Sequence, residues 1–238
     1  MHLLNHSMLK SNSLDRISWE LLTRSFSYSA LRTYMHIPTK KLLTLKIIIF
    51  RYFTNKFYPV TLQHDQKPIN MKRTGIFYGS TTGTTEAVAR LIAEKMGVEK
   101  ADIHDVSRIN AETVGKYEVL ILGTSTWGDG ELQDDWYDGV EVLKGTDLTG
   151  KYIALFGCGD SESYSDTFCD GMGLIFESLK DSGAEFIGSV SSDEYTFSAS
   201  VAEADGRFVG LAIDDVNESH LTAGRISRWT EMLKAAIS

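Results

Sequence analysis

From residue 71 onward, short apolar runs alternate with longer segments in which apolar residues recur at helical spacing. This alternation limits the possible folds more than any other feature of the chain. Five runs are typical of buried β-strands: residues 74–78, 101–106, 119–123, 152–157 and 185–190. Strands that alternate with helices pair in parallel through right-handed crossovers. The pattern therefore predicts one α/β domain, a doubly wound parallel sheet with helices on both faces.

The helical segments are predicted at residues 84–96, 111–115, 134–143, 167–182 and 221–237. Gly97 and Gly183 end two of them, as glycine commonly does after the last turn of a helix. The apolar face predicted for the last helix consists of Leu221, Ile226, Trp229, Leu233 and Ala236.

The first 70 residues differ in composition from the rest. They contain none of the 20 glycines and all three prolines, and their 10 basic and three acidic residues give a net charge of +7. The remaining 168 residues carry 14 basic and 29 acidic residues, a net charge of −15. We expect residues 1–70 to be a basic N-terminal extension outside the fold, and residues 71–238 to form the domain. The extension is a misassigned or non-native upstream stretch, a targeting segment or a functional arm.

Composition excludes several classes of protein. The longest apolar run of the extension, residues 42–53, is interrupted by Lys46 and Arg51 and is shorter than the about 20 residues that cross a bilayer. Two cysteines cannot supply a disulfide-dense scaffold or a four-cysteine metal site. His104 and His220 stand apart from any cysteine or carboxylate group. The sequence predicts no catalytic residue and no metal site, so redox chemistry would require a bound cofactor.

The loop after the first predicted strand is rich in hydroxyl groups and leads directly into a helix. It contains Ser80, Thr81, Thr82, Gly83, Thr84 and Thr85. Backbone N–H groups at the start of a helix favour an anion, so the loop is interpreted as a phosphate site. No Lys or Arg lies between Arg73 and Arg90, which excludes a nucleotide-triphosphate P-loop, and the dinucleotide pattern G-x-G-x-x-G is absent. Such a loop suits a monophosphate held by hydroxyls and backbone.

The loops after the third and fourth predicted strands each carry one aromatic side chain. The first contains Thr126, Trp127, Gly128, Asp129 and Gly130, and the second contains Cys158, Gly159, Asp160 and Tyr164. Ligands of open α/β sheets bind beyond the carboxyl ends of the strands. Together with the phosphate loop, the two aromatic side chains indicate a site for a planar ring that carries a phosphate.

These three loops, GSTTGTTE, TSTWGDGELQDDW and GCGDSESYSDTFCDGMG, resemble the flavin-binding loops of flavodoxins in order and spacing. The resemblance covers residues 71–238. Residues 191–215 interrupt the region of the fifth strand and resemble the insertion of the long-chain type. Ser125 and Gly128 stand where the family frequently has other residues. The resemblance implies a flavodoxin-like sheet of five parallel strands in the order 2-1-3-4-5, within three layers.

The resemblance also implies a cofactor, FMN, and a role for each loop. The residues 80–85 would hold the phosphate, Trp127 and Tyr164 would cover the two faces of the ring, and Asp160 would meet its pyrimidine end. Backbone groups would contact the edge of the ring, and residues 168–170 would contact its outer rim. The full predicted FMN-binding set is Ser80, Thr81, Thr82, Gly83, Thr84, Thr85, Thr126, Trp127, Gly128, Asp129, Gly130, Cys158, Gly159, Asp160, Tyr164, Phe168, Cys169 and Asp170. We expect Cys158 and Cys169 to be packed or rim thiols.

The function implied is that of a low-potential one-electron carrier, shuttling between semiquinone and hydroquinone, and not an enzyme. Its partners would be redox proteins with basic docking surfaces, such as a flavodoxin/ferredoxin NADP reductase and ferredoxin-dependent oxidoreductases, with no nucleic acid and no membrane. We expect a monomer in the cytoplasm, or in an organelle stroma if residues 1–70 are a transit peptide. The alternative is an FMN-dependent NAD(P)H:quinone reductase; a receiver module is disfavoured because Tyr78-Gly79 and Thr124-Ser125 replace its acidic residues.

Overall fold

The computed structural model describes residues 72–238, and the extension predicted for residues 1–70 lies outside the described residues. The strands are β1 Thr74–Tyr78, β2 Ile103–Asp105, β3 Val119–Trp127, β4 Glu131–Leu132, β5 Tyr152–Cys158, β6 Glu185–Ile187, β7 Val190–Ser191, β8 Glu203–Ala204, β9 Arg207–Phe208 and β10 Leu211–Ile213. The helices are α1 Thr84–Met96, α2 Ala111–Gly115, α3 Asp135–Lys144, α4 Asp170–Leu179 and α5 Ser219–Ile237.

The main sheet has the predicted topology. Its strands follow the spatial order β10-β5-β3-β1-β2, and each neighbouring pair is parallel. With β5 as the fourth strand and β10 as the fifth, this is the order 2-1-3-4-5. Two short strands are added to it: β4 pairs antiparallel with the end of β3, and β6 pairs parallel with the beginning of β5.

The fifth strand is divided by an insertion, as the sequence predicted, but its second half, β10, was not predicted as a strand. Of the predicted strand 185–190, only β6 lies in the main sheet, where Glu185 pairs with Tyr152. The backbone then turns at Gly188, which has φ +86° and whose carbonyl oxygen accepts a hydrogen bond from Trp229 Nε1 at 2.7 Å. The other half of the strand is supplied by β10, where Leu211 pairs with Phe156.

The residues between the two halves form a small sheet of their own. Strands β7, β9 and β8 pair antiparallel in that order. Phe208 is fully buried and packs against Tyr195, Phe197 and Phe168. The segment 190–210, called the insertion below, therefore has its own aromatic core, which joins the core of the main sheet at Phe168.

Other boundaries differ from the predicted ones by a few residues. The predicted strand 101–106 contains β2 between two 3₁₀ turns, Lys100–Asp102 and Val106–Arg108. The predicted helix 167–182 is shorter, because α4 begins only after the 3₁₀ turn Ser165–Thr167. Helix α3 is displaced by one residue and α5 begins two residues earlier than predicted, whereas β1, α1 and α2 have the predicted bounds.

Each face of the main sheet is covered by two helices. Alternate residues of a strand point to opposite faces, so Leu120 and Leu122 of β3 join the core beneath α3 and α4, whereas Val119 and Ile121 join the core beneath α1 and α5. Both faces of the strand are buried, as is usual for a parallel sheet between helices. This leaves the loops at the carboxyl ends of the strands as the accessible edge.

The buried face of α5 is partly the predicted one. Ile226, Trp229 and Leu233 are buried, but Leu221 and Ala236 are exposed, so the prediction was wrong at both ends of the helix. The helical period places Ile237 rather than Ala236 on the buried side. No helix within residues 72–238 combines the length and apolar character needed to cross a bilayer.

Candidate functional site

The three loops singled out in the sequence follow β1, β3 and β5, which are adjacent parallel strands. Parallel strands end at the same edge of a sheet, so the loops share the carboxyl edge. β10 ends at this edge too, beside β5, where the Gly159 N–H donates to the carbonyl oxygen of Ile213 at 3.0 Å. A fourth loop, between β10 and α5, therefore belongs to the same edge.

The first loop is held close to the sheet. The Gly79 N–H donates to the carbonyl oxygen of Gly123 at 2.9 Å, and a Cβ on Gly79 would lie 2.3 Å from Gln133 Oε1. Ser80 Oγ accepts the Gly83 N–H at 3.1 Å. Gly83 has φ +94° and no side chain caps the helix that follows. The first N–H groups of α1 are thus left available to a ligand.

Thr85 supplies a further unused donor at the start of α1. Its side chain is 1% exposed, and its hydroxyl has no hydrogen-bond partner within the described part of the chain. A buried polar group without a partner costs free energy, and the positive end of a helix attracts an anion. Thr81 and Thr82 are exposed on the same loop. The geometry suits a phosphate whose oxygens accept hydrogen bonds from hydroxyl and backbone groups.

No basic side chain within the loop neutralises such an anion. The nearest arginine along α1, Arg90, is engaged in an ion pair with Glu86 on the same helix. The loop therefore resembles a monophosphate site without a basic residue rather than a triphosphate loop with its lysine, as the sequence predicted.

The second loop is the hairpin that joins β3 to β4. Trp127 pairs with Glu131 across it, and the turn between them contains Gly128 with φ +50° and Gly130 with φ +95°. Trp127 is 40% exposed and its Nε1 donates to Ser125 Oγ at 2.8 Å. The indole is thus oriented by its own strand while a large part of its surface stays accessible.

The third loop is stabilised mainly through Asp160. Asp160 Oδ1 accepts the backbone N–H groups of Glu162 and Ser163 and the side-chain amide of Asn217. The hydrogen bonds from Ser163 and Asn217 hold the pKa of the Asp160 carboxyl below its ordinary value. Tyr164, at the end of this turn, is 58% exposed.

The end of the third loop is buried. Phe168 is 1% exposed and packs on the aromatic core of the insertion, and Cys169 is fully buried with its Sγ directed at the carbonyl oxygen of Gly157 at 3.5 Å. If residues 168 and 169 contact a ligand, they do so through the main chain. Asp170 is also buried and accepts the Val201 N–H at 2.8 Å.

Both cysteines are free and buried, as packed thiols would be. Burial raises the pKa of Cys158 to about 12, and it raises the pKa of Cys169 well above its ordinary value. The reactive form of cysteine is the thiolate, so neither residue is suited to nucleophilic chemistry. Within residues 72–238, no group of three or more His, Cys, Asp and Glu side chains is arranged to hold a metal ion.

One histidine is less isolated than the sequence indicated. His104 Nε2 lies 2.7 Å from Tyr117 Oη, and the Tyr117 hydroxyl also donates to Asp102 Oδ1 at 2.8 Å. The expectation that His104 stands apart from any carboxylate was therefore wrong. Burial lowers the pKa of His104, so the ring is neutral near pH 7 and takes part in a structural hydrogen-bond chain.

Sequence reasoning missed two residues of the fourth loop, Asp214 and Asn217. Asp214 is 1% exposed; its Oδ2 accepts the Ser161 N–H at 3.0 Å, the Ser161 hydroxyl and the Asn217 side-chain amide, and its Oδ1 accepts backbone N–H groups of the same loop. These bonds join the third loop to the fourth. An Asp directly after a strand is the available signal, but β10 lies within residues 191–215, which the sequence indicates as an insertion.

Comparison with known proteins gives a consistent result. The family model described as Flavodoxin matches residues 76–229. The chain is 42% identical to flavodoxin 1 of Salmonella typhimurium over 168 residues, which cover 70% of this chain and 96% of the relative. It is 42% identical to the flavodoxin of Nostoc sp. strain PCC 7120 over 164 residues, 69% of this chain and 96% of the relative.

A solved structure is similar over the same part of the chain. The flavodoxin of Fusobacterium nucleatum bound to flavin mononucleotide has 30% sequence identity and a TM-score of 0.65. The match covers 71% of this chain and 100% of that one.

Proposed function

Because the chain belongs to the flavodoxin family, we propose that it is an electron-transfer protein whose redox group is a non-covalently bound FMN. The observation that carries this proposal is the start of α1, where uncapped N–H groups, the exposed hydroxyls of Thr81 and Thr82, and the unpartnered hydroxyl of buried Thr85 lie within six residues of chain. A phosphate monoester satisfies these donors without a cation.

The residues of the other loops fit the flavin ring. Trp127 and Tyr164 are exposed aromatic side chains on neighbouring loops of the carboxyl edge, and a planar ring between them would bury both. Cys158 and Gly159 offer main-chain groups at the ring edge, and Asp160 lies beside them. FMN supplies the one-electron chemistry when bound; the chain binds it, orients it and excludes water from its faces.

Negative charge surrounds the proposed site. The acidic residues on or near the loops are Asp129, Glu131, Asp134, Asp135, Asp138, Asp160, Glu162, Asp166 and Asp170, and no Lys or Arg occurs in residues 117–142. At about 10 Å and an effective dielectric constant near 20, one carboxylate raises the energy of an added negative charge by roughly 1.7 kcal/mol, or about 70 mV for a one-electron couple. This supports a carrier that works at low potential, between the one- and two-electron-reduced states.

The same charge indicates the kind of partner. A negative face around the cofactor attracts redox proteins with basic docking surfaces, among them a flavodoxin/ferredoxin NADP reductase and ferredoxin-dependent oxidoreductases. The proposed carrier works as a monomer in the cytoplasm. The insertion between β6 and β10 supports the long-chain type. Two aromatic side chains available to cover both ring faces favour this carrier over a quinone reductase, which leaves its flavin open to a second substrate.

A slow anaerobic dithionite titration, followed by visible absorption, tests the proposal. We expect a yellow protein that turns blue and then bleaches, because a carrier stabilises the one-electron-reduced flavin. A yellow protein that bleaches directly, above all with NADPH, would instead support the two-electron reductase. A colourless protein that added FMN cannot reconstitute would refute flavin binding altogether.

A further inference from the structure

The first turn of α4 lies between the second loop and the insertion, and it bonds to both. Asp170 Oδ1 accepts the N–H of Val201, an insertion residue, at 2.8 Å. The next residue, Gly171, donates its N–H to Thr126 Oγ1 at 3.0 Å. Two consecutive residues of one helix start therefore connect two segments that are far apart in the sequence.

The contacts on both sides are too close for larger side chains. A Cβ on Gly171 would lie 2.8 Å from the carbonyl oxygen of Ser125, and a Cβ on Gly173 would lie 2.6 Å from the backbone nitrogen of Ala202. A Cβ on Gly130 would lie 2.8 Å from Asp170 Oδ2. One oxygen of Asp170 thus bonds to the insertion, while the other lies against the turn of the second loop.

The buried carboxylate of Asp170 lowers the stability of the fold at this position. Asp170 is 6% exposed, and no Lys or Arg within residues 72–238 forms an ion pair with it. Burial raises the pKa of its carboxyl, and hydrogen bonds from the Val201 N–H and the Ser200 side chain offset this effect only in part. A buried carboxylate without a cation costs stability, whereas a neutral helix-start residue would not. Its placement therefore calls for a role beyond folding.

We propose that Asp170 is a positioning residue that fixes the second loop, residues 126–130, to the insertion, so that the shape of the flavin edge depends on where the insertion lies. The inference rests on the proposed function only for the expected effect on FMN affinity. The mechanical part, that the loop and the insertion are held together through Asp170, concerns the protein alone. A protein that binds the outer surface of the insertion would consequently alter the cofactor edge without contacting it.

Three variants separate the role of Asp170 from the loss of one charge. Asp170→Ala removes both carboxylate contacts, Asp170→Asn keeps an oxygen that accepts the Val201 N–H, and Asp166→Ala removes an exposed charge four residues earlier as the control. In the FMN-free protein, we expect faster amide hydrogen exchange at Val201 and at Gly130 in Asp170→Ala only. FMN affinity should fall about tenfold in Asp170→Ala and stay within about threefold of wild type in the control, Asp166→Ala.

The outcomes distinguish this inference from the function on which it rests. If wild type binds no FMN, the proposed function fails, and amide exchange still decides the anchoring. If wild type binds FMN but Asp170→Ala behaves like Asp166→Ala, Asp170 has no positioning role. Should Asp170→Ala fail to fold, a pH titration of wild type followed by NMR replaces it. The chemical shift of the Val201 amide should change as the Asp170 carboxyl is protonated. The chemical shift of the Ala199 amide, whose N–H donates to the carbonyl oxygen of Ser165, should not. A Val201 amide indifferent to this titration overturns the inference.

Discussion

At the scale of single residues, the turn of the second loop depends on a backbone conformation that most amino acids avoid. Gly128 has φ +50° and is exposed between Trp127 and Asp129. Glycine adopts positive and negative φ with similar ease, so the peptide after Gly128 can rotate at low cost. The resemblance to flavodoxins implies that this peptide turns on reduction and offers its carbonyl oxygen to the flavin.

We expect Gly128→Val to lower the yield of the blue one-electron-reduced form, because a β-branched residue resists the positive φ and the rotation. Gly206→Val is the matched control, since Gly206 has φ +76° in the insertion and a Cβ there would meet open space. Each substitution should cost about 1–3 kcal/mol of stability. A dithionite titration in which both variants give the wild-type blue yield would contradict the role of Gly128.

A second residue-scale prediction concerns pH. Burial alone would raise the pKa of Asp214, but the hydrogen bonds from Ser161 and Asn217 outweigh it and hold the pKa below its ordinary value of 3.8. A carboxyl with a lowered pKa in the folded state stabilises the protein above the unfolded pKa, and this contribution is lost as the pH falls through the folded value.

We therefore expect Asp214→Asn to be less stable than wild type at pH 7 in urea unfolding, with the difference narrowing below about pH 4. Asp181→Asn serves as the control, because Asp181 is exposed and makes no side-chain hydrogen bond within the described residues. A difference between wild type and Asp214→Asn that stays constant from pH 7 to pH 3 would show that the carboxylate charge is not what stabilises the two loops.

At the scale of helices and strands, the sequence predicts an element well where its pattern is long and its end is marked. β1 and α1 have the predicted bounds because an uninterrupted apolar run meets Gly79, and the helical period ends at Gly97. β10 escapes prediction because its three residues lie within residues 191–215, which the sequence indicates as an insertion. The residues Asp214 and Asn217, which follow β10, were missed for the same reason.

The first three loops of the site could be predicted because each one follows a strong strand and has a distinctive composition. The direction in which the side chains point could not be predicted. Phe168 and Cys169 occupy the predicted part of the chain, yet their side chains lie in the core. The path of the chain decides this: Cys169 has φ +60° before α4, a conformation that composition does not reveal for a residue other than glycine.

At the scale of helices and strands, the testable prediction concerns the start of α1. Thr85→Val removes a buried hydroxyl that has no partner, so the FMN-free protein should gain about 1 kcal/mol of stability while FMN affinity falls about tenfold. Thr230→Val on α5 is the matched control: Thr230 is also buried in a helix, but its hydroxyl donates to the carbonyl oxygen of Ser227 at 3.1 Å.

The control variant should lose about 1 kcal/mol in urea unfolding and keep its FMN affinity. The free energy of unfolding of the FMN-free protein should thus rise in Thr85→Val and fall in Thr230→Val. FMN affinity, measured by quenching of flavin fluorescence, should fall in Thr85→Val only. Equal FMN affinity in Thr85→Val and wild type would show that the hydroxyl does not contact the phosphate.

At the scale of the whole molecule, charge is unevenly distributed between the two edges of the sheet. The acidic residues of the loops lie at the carboxyl edge, where the cofactor is proposed to bind. The amino edge is mixed in charge: Lys72 and Lys151 donate there to the carbonyl oxygens of Ile237 and Tyr117, but Glu118 and Glu185 lie at the same edge. A charge asymmetry of this kind orients an approaching basic protein toward the cofactor and raises the rate of encounter more than the final affinity.

We therefore expect the second-order rate constant for reduction by a flavodoxin reductase to fall as ionic strength rises, because salt shortens the range of the attraction to about 10 Å at 0.1 M. Asp129→Asn, at the exposed tip of the second loop, should lower the rate constant at low salt and flatten its salt dependence. Glu99→Gln, which removes an exposed charge before β2 at the opposite edge, should change both much less. Stopped-flow measurements from 0.02 to 0.5 M salt check this, with all three proteins converging at the highest salt because the steering is then screened. Equal slopes for the two variants would place the docking surface elsewhere than the cofactor edge.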